Sequence, residues 1–349
     1  MRDSPDSAPI ERLLSVLNTI VRRDDLAYAE APQRLSGGYS ADLFAFRLAN
    51  PPDGLDGALV VRLMHDDSAA VREAVIQRAV ADLGFPAPRV RMSGDSAAGL
   101  GRPFVVMDRA RGLYPVTVSG PRSAWRAFQR IPFVLADTMA ALHALDARVV
   151  LDQLTASGCA AAPLGADAVL REIESQVPNL SGGMTGLNWL LKHRPAPPAR
   201  PVVCHGDLHA FNLLAVESEI TAVLDWELAT VADNEFDVAR TAVLLSFVPG
   251  QMSAAVRPVV QALGRRAARI FGAAYARFHH IDDVSLHWHE ALHCLRLIAV
   301  VAKNRVDAVG NPVARLWEPL VPGLARRFER ITGVSVKLQL RSIAAHLGG

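Results

Sequence analysis

Val203-Cys204-His205-Gly206-Asp207-Leu208-His209-Ala210-Phe211-Asn212-Leu213-Leu214, followed by Val223-Leu224-Asp225-Trp226-Glu227, decides how the rest of the chain is read. An aspartate, an asparagine five places on and a second aspartate behind an apolar run are the residue types that phosphoryl transfer from a magnesium-bound nucleotide requires. In such a transfer the protein does little covalent chemistry; it positions the reactants and neutralises charge. One carboxylate must stand beside the attacking hydroxyl, a role open to Asp207. Oxygen ligands must hold magnesium against the phosphates, a hard-cation task suited to Asn212 and Asp225. The apolar runs 201–204, 213–216 and 220–224 read as short strands, which places these polar residues on loops at strand ends.

In this order the motifs resemble the aminoglycoside phosphotransferase and choline kinase group, relatives of the protein kinases. The corresponding protein-kinase elements are the His-Arg-Asp catalytic loop and the Asp-Phe-Gly metal site. The resemblance implies an α+β, bilobal protein-kinase-like fold. A small sheet-and-helix nucleotide lobe over residues 1–108 would precede a larger, mainly helical catalytic and substrate lobe over 109–349. It implies Asp207 as catalytic base, Asn212 and Asp225 as Mg2+ ligands, and ATP or GTP as donor. The acceptor would be a small hydroxylated molecule: an aminoglycoside, a macrolide or a metabolite. By the same resemblance His205 braces the loop and Asp237 anchors it from the start of the next helix. His209 either approaches the terminal phosphate or fills the loop, and Glu227 either assists the metal site or braces it.

Such a site demands a glycine-bearing turn, a cation on a strand and an acid on a helix upstream, and all three occur in order. In Leu35-Ser36-Gly37-Gly38-Tyr39-Ser40, backbone amides could approach phosphates closely. Ser36, Gly37, Gly38 and Ser40 are therefore expected nucleotide contacts, although a Gly-Gly pair between strands is by itself also a plain hairpin signal. The run 58–63 continues a strand pattern and carries Arg62 where protein kinases place lysine. A guanidinium can grip phosphate oxygens bidentately. Its expected partner is Glu73, in a helix over 68–83 with apolar Val71, Val75, Ala79 and Leu83 at helical spacing; the plainer alternative makes Glu73 a solvated or dipole-complementing acid. Strand 103–108 resembles the family's hinge, with backbone groups of Val106, Met107 and Asp108 facing the adenine edge.

The 349 residues, half of them hydrophobic and 21% charged, suit two lobes with a substantial core. A net charge of +2, from 37 basic and 35 acidic residues, gives no sign of a nucleic-acid binder. No apolar run reaches the ~18 residues of a membrane span. Three widely spaced cysteines, Cys159, Cys204 and Cys294, suggest neither a disulfide framework nor a zinc knuckle, and the N-terminal segment lacks a signal-peptide pattern. A cytoplasmic monomer or homodimer is expected. Helices are expected over 10–21, 124–145, 167–176, 238–247, 254–276, 284–301 and 314–331. His143 reads as a helix-end contact.

Two other functions compete. His289-Glu290-Ala291-Leu292-His293 fits the His-Glu-x-x-His template of zinc peptidases, with Glu318 one source of a third ligand. A kinase-fold nucleotide-binding protein without transfer activity is the other. Asp233, Glu235, Asp282, Asp283 and Glu290 are too scattered to define an acidic pocket for a polycationic acceptor.

Overall fold

The computed structural model describes residues 8–35, 41–116, 120–159, 163–197, 200–248, 255–306 and 312–339. The first half of the chain order is α1 (Ala8–Val21), β1 (Gln33–Leu35), β2 (Asp42–Phe46), β3 (Leu59–Leu63), α2 (Asp67–Asp82), β4 (Val90–Gly94), β5 (Phe104–Asp108), α3 (Pro121–His143), α4 (Ala147–Ala156), α5 (Gly165–Gln176), β6 (Leu180–Ser181) and α6 (Gly183–Lys192). There follow β7 (Val202–Cys204), β8 (Leu213–Val216), β9 (Glu219–Val223), β10 (Thr230–Ala232), α7 (Asn234–Ser246), α8 (Arg257–Tyr275), α9 (Asp283–Val306), α10 (Pro312–Trp317), α11 (Val321–Thr332) and β11 (Lys337–Leu338). The chain divides into two compact units, and not by a single cut. The first comprises residues 1–117, 145–161 and 211–229, the second 118–144, 162–210 and 230–349. The expected lobe boundary after Asp108 lies inside the first unit.

The first unit is built on a five-stranded antiparallel sheet in the order β1-β2-β3-β5-β4. The central strand β3, Leu59-Val60-Val61-Arg62-Leu63, is buried along its whole length because both faces of the sheet are covered. Leu59, Val61 and Leu63 join a core with Leu13 and Leu17 of α1. Val60 packs in a second core with Ala70 and Ala74 of α2. Side chains alternate faces along a strand, so Arg62 falls on the α2 side, where it meets Glu73.

Helix α2 differs from expectation in which face it buries. Val71, Val75 and Leu83 are only half-buried, whereas Ala70, Glu73, Ala74, Gln77 and Val80 are buried. Alanines at 70 and 74 leave room for two polar side chains on the core face, and each has a partner. Gln77 Nε2 donates to Pro88 O at 2.6 Å, and Glu73 pairs with Arg62. The hairpin β8–β9 belongs to the same unit, tied by Val223 N to Pro86 O at 2.6 Å and by paired bridges between Leu113 and Ala215.

In the second unit β7 and β10 form a short antiparallel pair in which Cys204 faces Thr230. Around it helices bury a core that includes Phe236, Trp288, Leu295, Leu324 and Phe328. Trp288 donates its indole N–H to Leu190 O at 3.0 Å, satisfying the one polar atom that it carries inward. The single helix expected over 314–331 is two: α10 and α11 are separated by a 3-10 turn at Glu318–Leu320. Pro319 and Pro322 each remove a backbone donor, which breaks the helical ladder there. Helix α7 crosses α8 closely at Gly264, where an added Cβ would lie 2.1 Å from Leu245 O. Among the described residues no helix is long and apolar enough to cross a membrane.

Candidate active site

The residues from the two motifs fall into two constellations, one in each unit. In the second unit, β7 ends at Cys204 and the chain turns through His205 and Gly206 with Gly206 at φ +77°, a left-handed conformation that glycine adopts without strain. The turn is held from α7. Asp237, in the first turn of that helix and fully buried, accepts from His205 N and Gly206 N, both at 2.8 Å. His143 Nε2 stands 3.3 Å from the same carboxylate, and its Nδ1 lies 2.6 Å from the Tyr275 hydroxyl. Burial alone would push the Asp237 carboxyl up, but His143, His205 and the two backbone N–H groups hold it below the usual range. His205 is itself fully buried and its Nδ1 accepts from Asp207 N at 3.3 Å. Thr241 Oγ1 donates to Leu208 O at 2.9 Å. The loop therefore hangs on one face of α7.

Asp207 is presented from this loop. Arg240 Nη2 donates to Asp207 Oδ1 at 2.8 Å, and His209 Nε2 lies 3.5 Å from Oδ2. Burial opposes ionisation of Asp207, yet Arg240 and His209 outweigh it and hold the carboxyl well below the usual carboxylate range. Asp207 is thus an ionised hydrogen-bond acceptor at neutral pH, suited to orienting a hydroxyl and receiving its proton late. His209 takes a place beside the carboxylate. Arg240 is the residue that the sequence reading missed, although a lone arginine in the apolar run Val238-Ala239-Arg240-Thr241-Ala242-Val243, one turn after Asp237, marks a position where a buried cation needs a carboxylate.

In the first unit Arg62 is the hub. Its Nε is 3.4 Å from Glu73 Oε1, its Nη1 2.9 Å from Asp225 Oδ1 and its Nη2 2.9 Å from Glu227 Oε2. Burial disfavours the guanidinium charge, but the three carboxylates more than compensate and raise its pKa. The Glu73 carboxyl, only 1% exposed, is pushed up to about 7 by burial, with the nearby Asp225 and Glu227 charges adding to the effect and Arg62 opposing it. Asp225 adopts φ +63°, a left-handed conformation that aspartate tolerates better than most residues. It follows β9 directly after Leu224, whose N–H donates to Asn212 O at 2.7 Å. Asn212 precedes β8, and Leu213 pairs with Val223, so the two candidate metal ligands sit at the same end of one hairpin. Trp226 closes it from behind, fully buried and edge-on to Phe85 at 5.8 Å.

This donor set fits magnesium. Three carboxylates surround one guanidinium, and Glu73 Oε2 is buried without a hydrogen-bond partner. Carboxylate and amide oxygens are the ligands that this ion prefers.

The expected hinge needs correction. Val106 and Met107 pair with β3 on one side and β4 on the other, Asp108 N donates to Arg89 O at 3.0 Å, and Arg109 N to Ala58 O at 2.9 Å. An interior strand has no free backbone edge to offer. The Asp108 side chain is occupied too, in a bidentate pair with Arg91 at 2.6 and 2.9 Å. Ser36, Gly37, Gly38 and Ser40 lie outside the described residues.

The zinc-peptidase alternative fails on geometry. His289 Nδ1 lies 2.9 Å from Ser285 O and His293 Nε2 2.9 Å from Phe236 O, both inside the core. Burial lowers the His289 pKa to about 4 and holds that of His293 well below its usual value. Glu290 is bonded to Arg327, and Glu318 is paired with Arg305 at 2.6 Å. Every member of the motif has a structural partner. His143, Cys204 and Asp237 also cluster closely enough for a metal, but the hydrogen bonds of His143 and Asp237 already account for that grouping.

Residues 32–257 match the family model for the phosphotransferase enzyme family. The chain belongs to that family. Among solved structures it is similar to a candidate aminoglycoside phosphotransferase of Ralstonia eutropha JMP134, with a TM-score of 0.63 at 17% identity over 92% of this chain and 99% of that one. It is also similar to aminoglycoside phosphotransferase APH(4)-Ia, with a TM-score of 0.61 at 15% identity over 94% and 98%. The fold of this family member is accordingly the α+β, protein-kinase-like fold. Its curated relatives include mouse acyl-CoA dehydrogenase family member 11, 29% identical over 48% of this chain and 22% of that protein. Mouse family member 10 is 27% identical over 58% of this chain and 19% of that protein. The chain thus spans about a fifth of those relatives' length.

Proposed function

We propose that this chain is a small-molecule kinase that moves the terminal phosphate of ATP or GTP to an acceptor hydroxyl. The observation that carries the reading is the Arg62 hub, where one guanidinium meets Glu73, Asp225 and Glu227 and leaves a surplus of negative charge suited to a divalent cation. Asn212 and Asp225 hold magnesium, which when bound neutralises phosphate charge. Glu73 orients Arg62, and Arg62 meets the phosphates. Asp207, kept ionised by Arg240, orients the acceptor hydroxyl and takes up its proton. Family membership and nucleotide-bound neighbours support the donor; APH(4)-Ia structures hold ADP or AMP-PNP with hygromycin B, and a 2′-phosphotransferase-IIIa structure holds GDP.

The test is nucleotide binding and phosphate transfer measured with and without magnesium. Wild type should bind nucleotide only with magnesium, and Asp207→Asn should keep that binding while transfer falls roughly 10²–10⁴-fold. Transfer unaffected by Asp207→Asn, or no magnesium-dependent binding, refutes the proposal. Nucleotide binding without transfer to any hydroxylated acceptor would favour the non-catalytic reading.

A further inference from the structure

A cavity of about 300 Å³ opens within the second unit, between α7, α8, α9 and α11. That volume is at the lower end of small-molecule pockets. Its charge is one-sided: Arg265, Arg326, Arg327 and Arg330 line it, against the single carboxylate of Glu290. Arg327 is bonded to Glu290, so that pair is internally neutral. No ion pair engages Arg265, Arg326 or Arg330 among the described residues. Arg326 and Arg330 are one helical turn apart on α11, where like charges repel by a few tenths of a kcal/mol. Arg265, Arg326 and Arg330 are exposed and line one concave wall; guanidinium groups so placed can capture an oxyanion, because each fork can bind a carboxylate or phosphate bidentately.

The cavity is coupled to the reacting loop by one rigid element. Helix α7 anchors the loop through Asp237, touches Asp207 through Arg240, and then lines the cavity with Val243, Ser246 and Phe247. Residues 240, 243 and 247 share a helix face, and seven residues of helix rise ~10 Å. An acceptor that reaches both Asp207 and the cavity therefore carries its anionic group several bonds from its hydroxyl, and a short anion fills the cavity end alone. Three of the acidic residues that a polycationic acceptor would need have partners within the protein: Glu235 Oε1 accepts from Asp282 N at 2.8 Å, Asp282 Oδ1 from Ser285 N at 2.7 Å, and Glu290 holds Arg327.

We propose that this cavity binds an anionic group, carboxylate or phosphate, of the hydroxylated acceptor, so that the enzyme phosphorylates a hydroxylated anion rather than an aminoglycoside. This rests on the kinase reading above. The full chain, saturated with ADP and magnesium to fill the nucleotide site, is titrated calorimetrically with malate, with glycerol 3-phosphate and with hygromycin B. The expected result is saturable binding of one of the two anions, weakening with added salt, and none of hygromycin B; which anion binds tells carboxylate from phosphate. Arg326→Gln with Arg330→Gln should weaken that binding tenfold or more, Arg265→Gln should weaken it in the same direction, and Asp207→Asn should leave it within twofold. Unchanged ADP binding and unfolding temperature show that the variants are folded.

No saturable anion binding, equal affinity in wild type and the double variant, or binding of hygromycin B alone overturns the proposal. If ADP still binds with magnesium in those cases, the kinase reading survives and only the anionic acceptor falls. Anion binding without magnesium-dependent nucleotide binding overturns the acceptor role together with the kinase reading.

Discussion

Neutralising Glu73 should make the apo protein more stable and the enzyme worse. The Glu73 carboxyl is 1% exposed, and its pKa stands at about 7 rather than the ordinary 4.5 because burial and the neighbouring Asp225 and Glu227 charges together outweigh Arg62. An acid whose folded pKa is raised binds more protons folded than unfolded between those values. Stability therefore falls as pH rises from about 4.5 to about 7 and is flat above. At ~1.4 kcal/mol per pH unit the cost of keeping this carboxylate ionised is up to ~3 kcal/mol at pH 8 and vanishes below pH 4.5. Glu73→Gln keeps the shape and removes the charge, while Arg62 retains Asp225 and Glu227.

Urea unfolding of both proteins at pH 5 and pH 8, without nucleotide or magnesium, checks this. The variant should gain on wild type as pH rises, by an amount of order 2–3 kcal/mol between the two conditions. Transfer should fall, because Glu73 no longer orients the guanidinium. A stability difference that is the same at both pH values, or one that favours wild type more at pH 8, refutes the charge-surplus account of the Arg62 hub.

Three further outcomes follow from the geometry. Arg240→Gln removes the cation that holds Asp207 low, so the acid limb of the pH–rate profile should move towards neutral pH; an unmoved limb would show that the pair does not control the Asp207 proton. Asp225→Asn should fold normally, since asparagine tolerates the φ +63° conformation, yet need roughly tenfold or more magnesium for equal rate; an unchanged magnesium dependence removes Asp225 from the metal site. Gly206→Ala forces a side chain into φ +77° and should cost ~1–2 kcal/mol in thermal or chemical unfolding, with a loss of transfer as Asp207 shifts.

What the sequence made legible is what short-range spacing encodes. The run from Val203 to Leu214 carries Asp207 and Asn212 five residues apart, and strands β7, β8 and β9 begin and end within two residues of the apolar runs that announced them. Apolar periodicity also located β3 and α2, though not which side of α2 faces the sheet, because the buried residues there include Glu73 and Gln77 beside Ala70 and Ala74, and a hydrophobicity pattern looks past glutamate and glutamine. Helices α4 and α6 went unread for a related reason: α6 opens Gly183-Met184-Thr185-Gly186, where glycines lower helix propensity and tertiary packing decides the outcome.

The residues that escaped are those whose meaning lies in a distant partner. Arg240 stands alone as a charge in an apolar run, and only Asp207, brought round by the Gly206 turn, explains why a cation is buried there. The hinge was misplaced for the opposite reason. Phe104 to Asp108 reads as a strand and is one, but sequence does not say whether a strand lies at an edge or inside a sheet, and β4 pairing outside β5 consumes the backbone groups that a nucleotide base would have used. Arg62 joins both lessons. Its strand position was visible and so was Glu73, eleven residues on, yet the charge balance of the site is set by Asp225 and Glu227, which arrive from the far hairpin and turn a simple ion pair into a surplus of carboxylate. That surplus raises the pKa of the Glu73 carboxyl in the protein alone, and under the proposed function it is the charge that a divalent cation would neutralise.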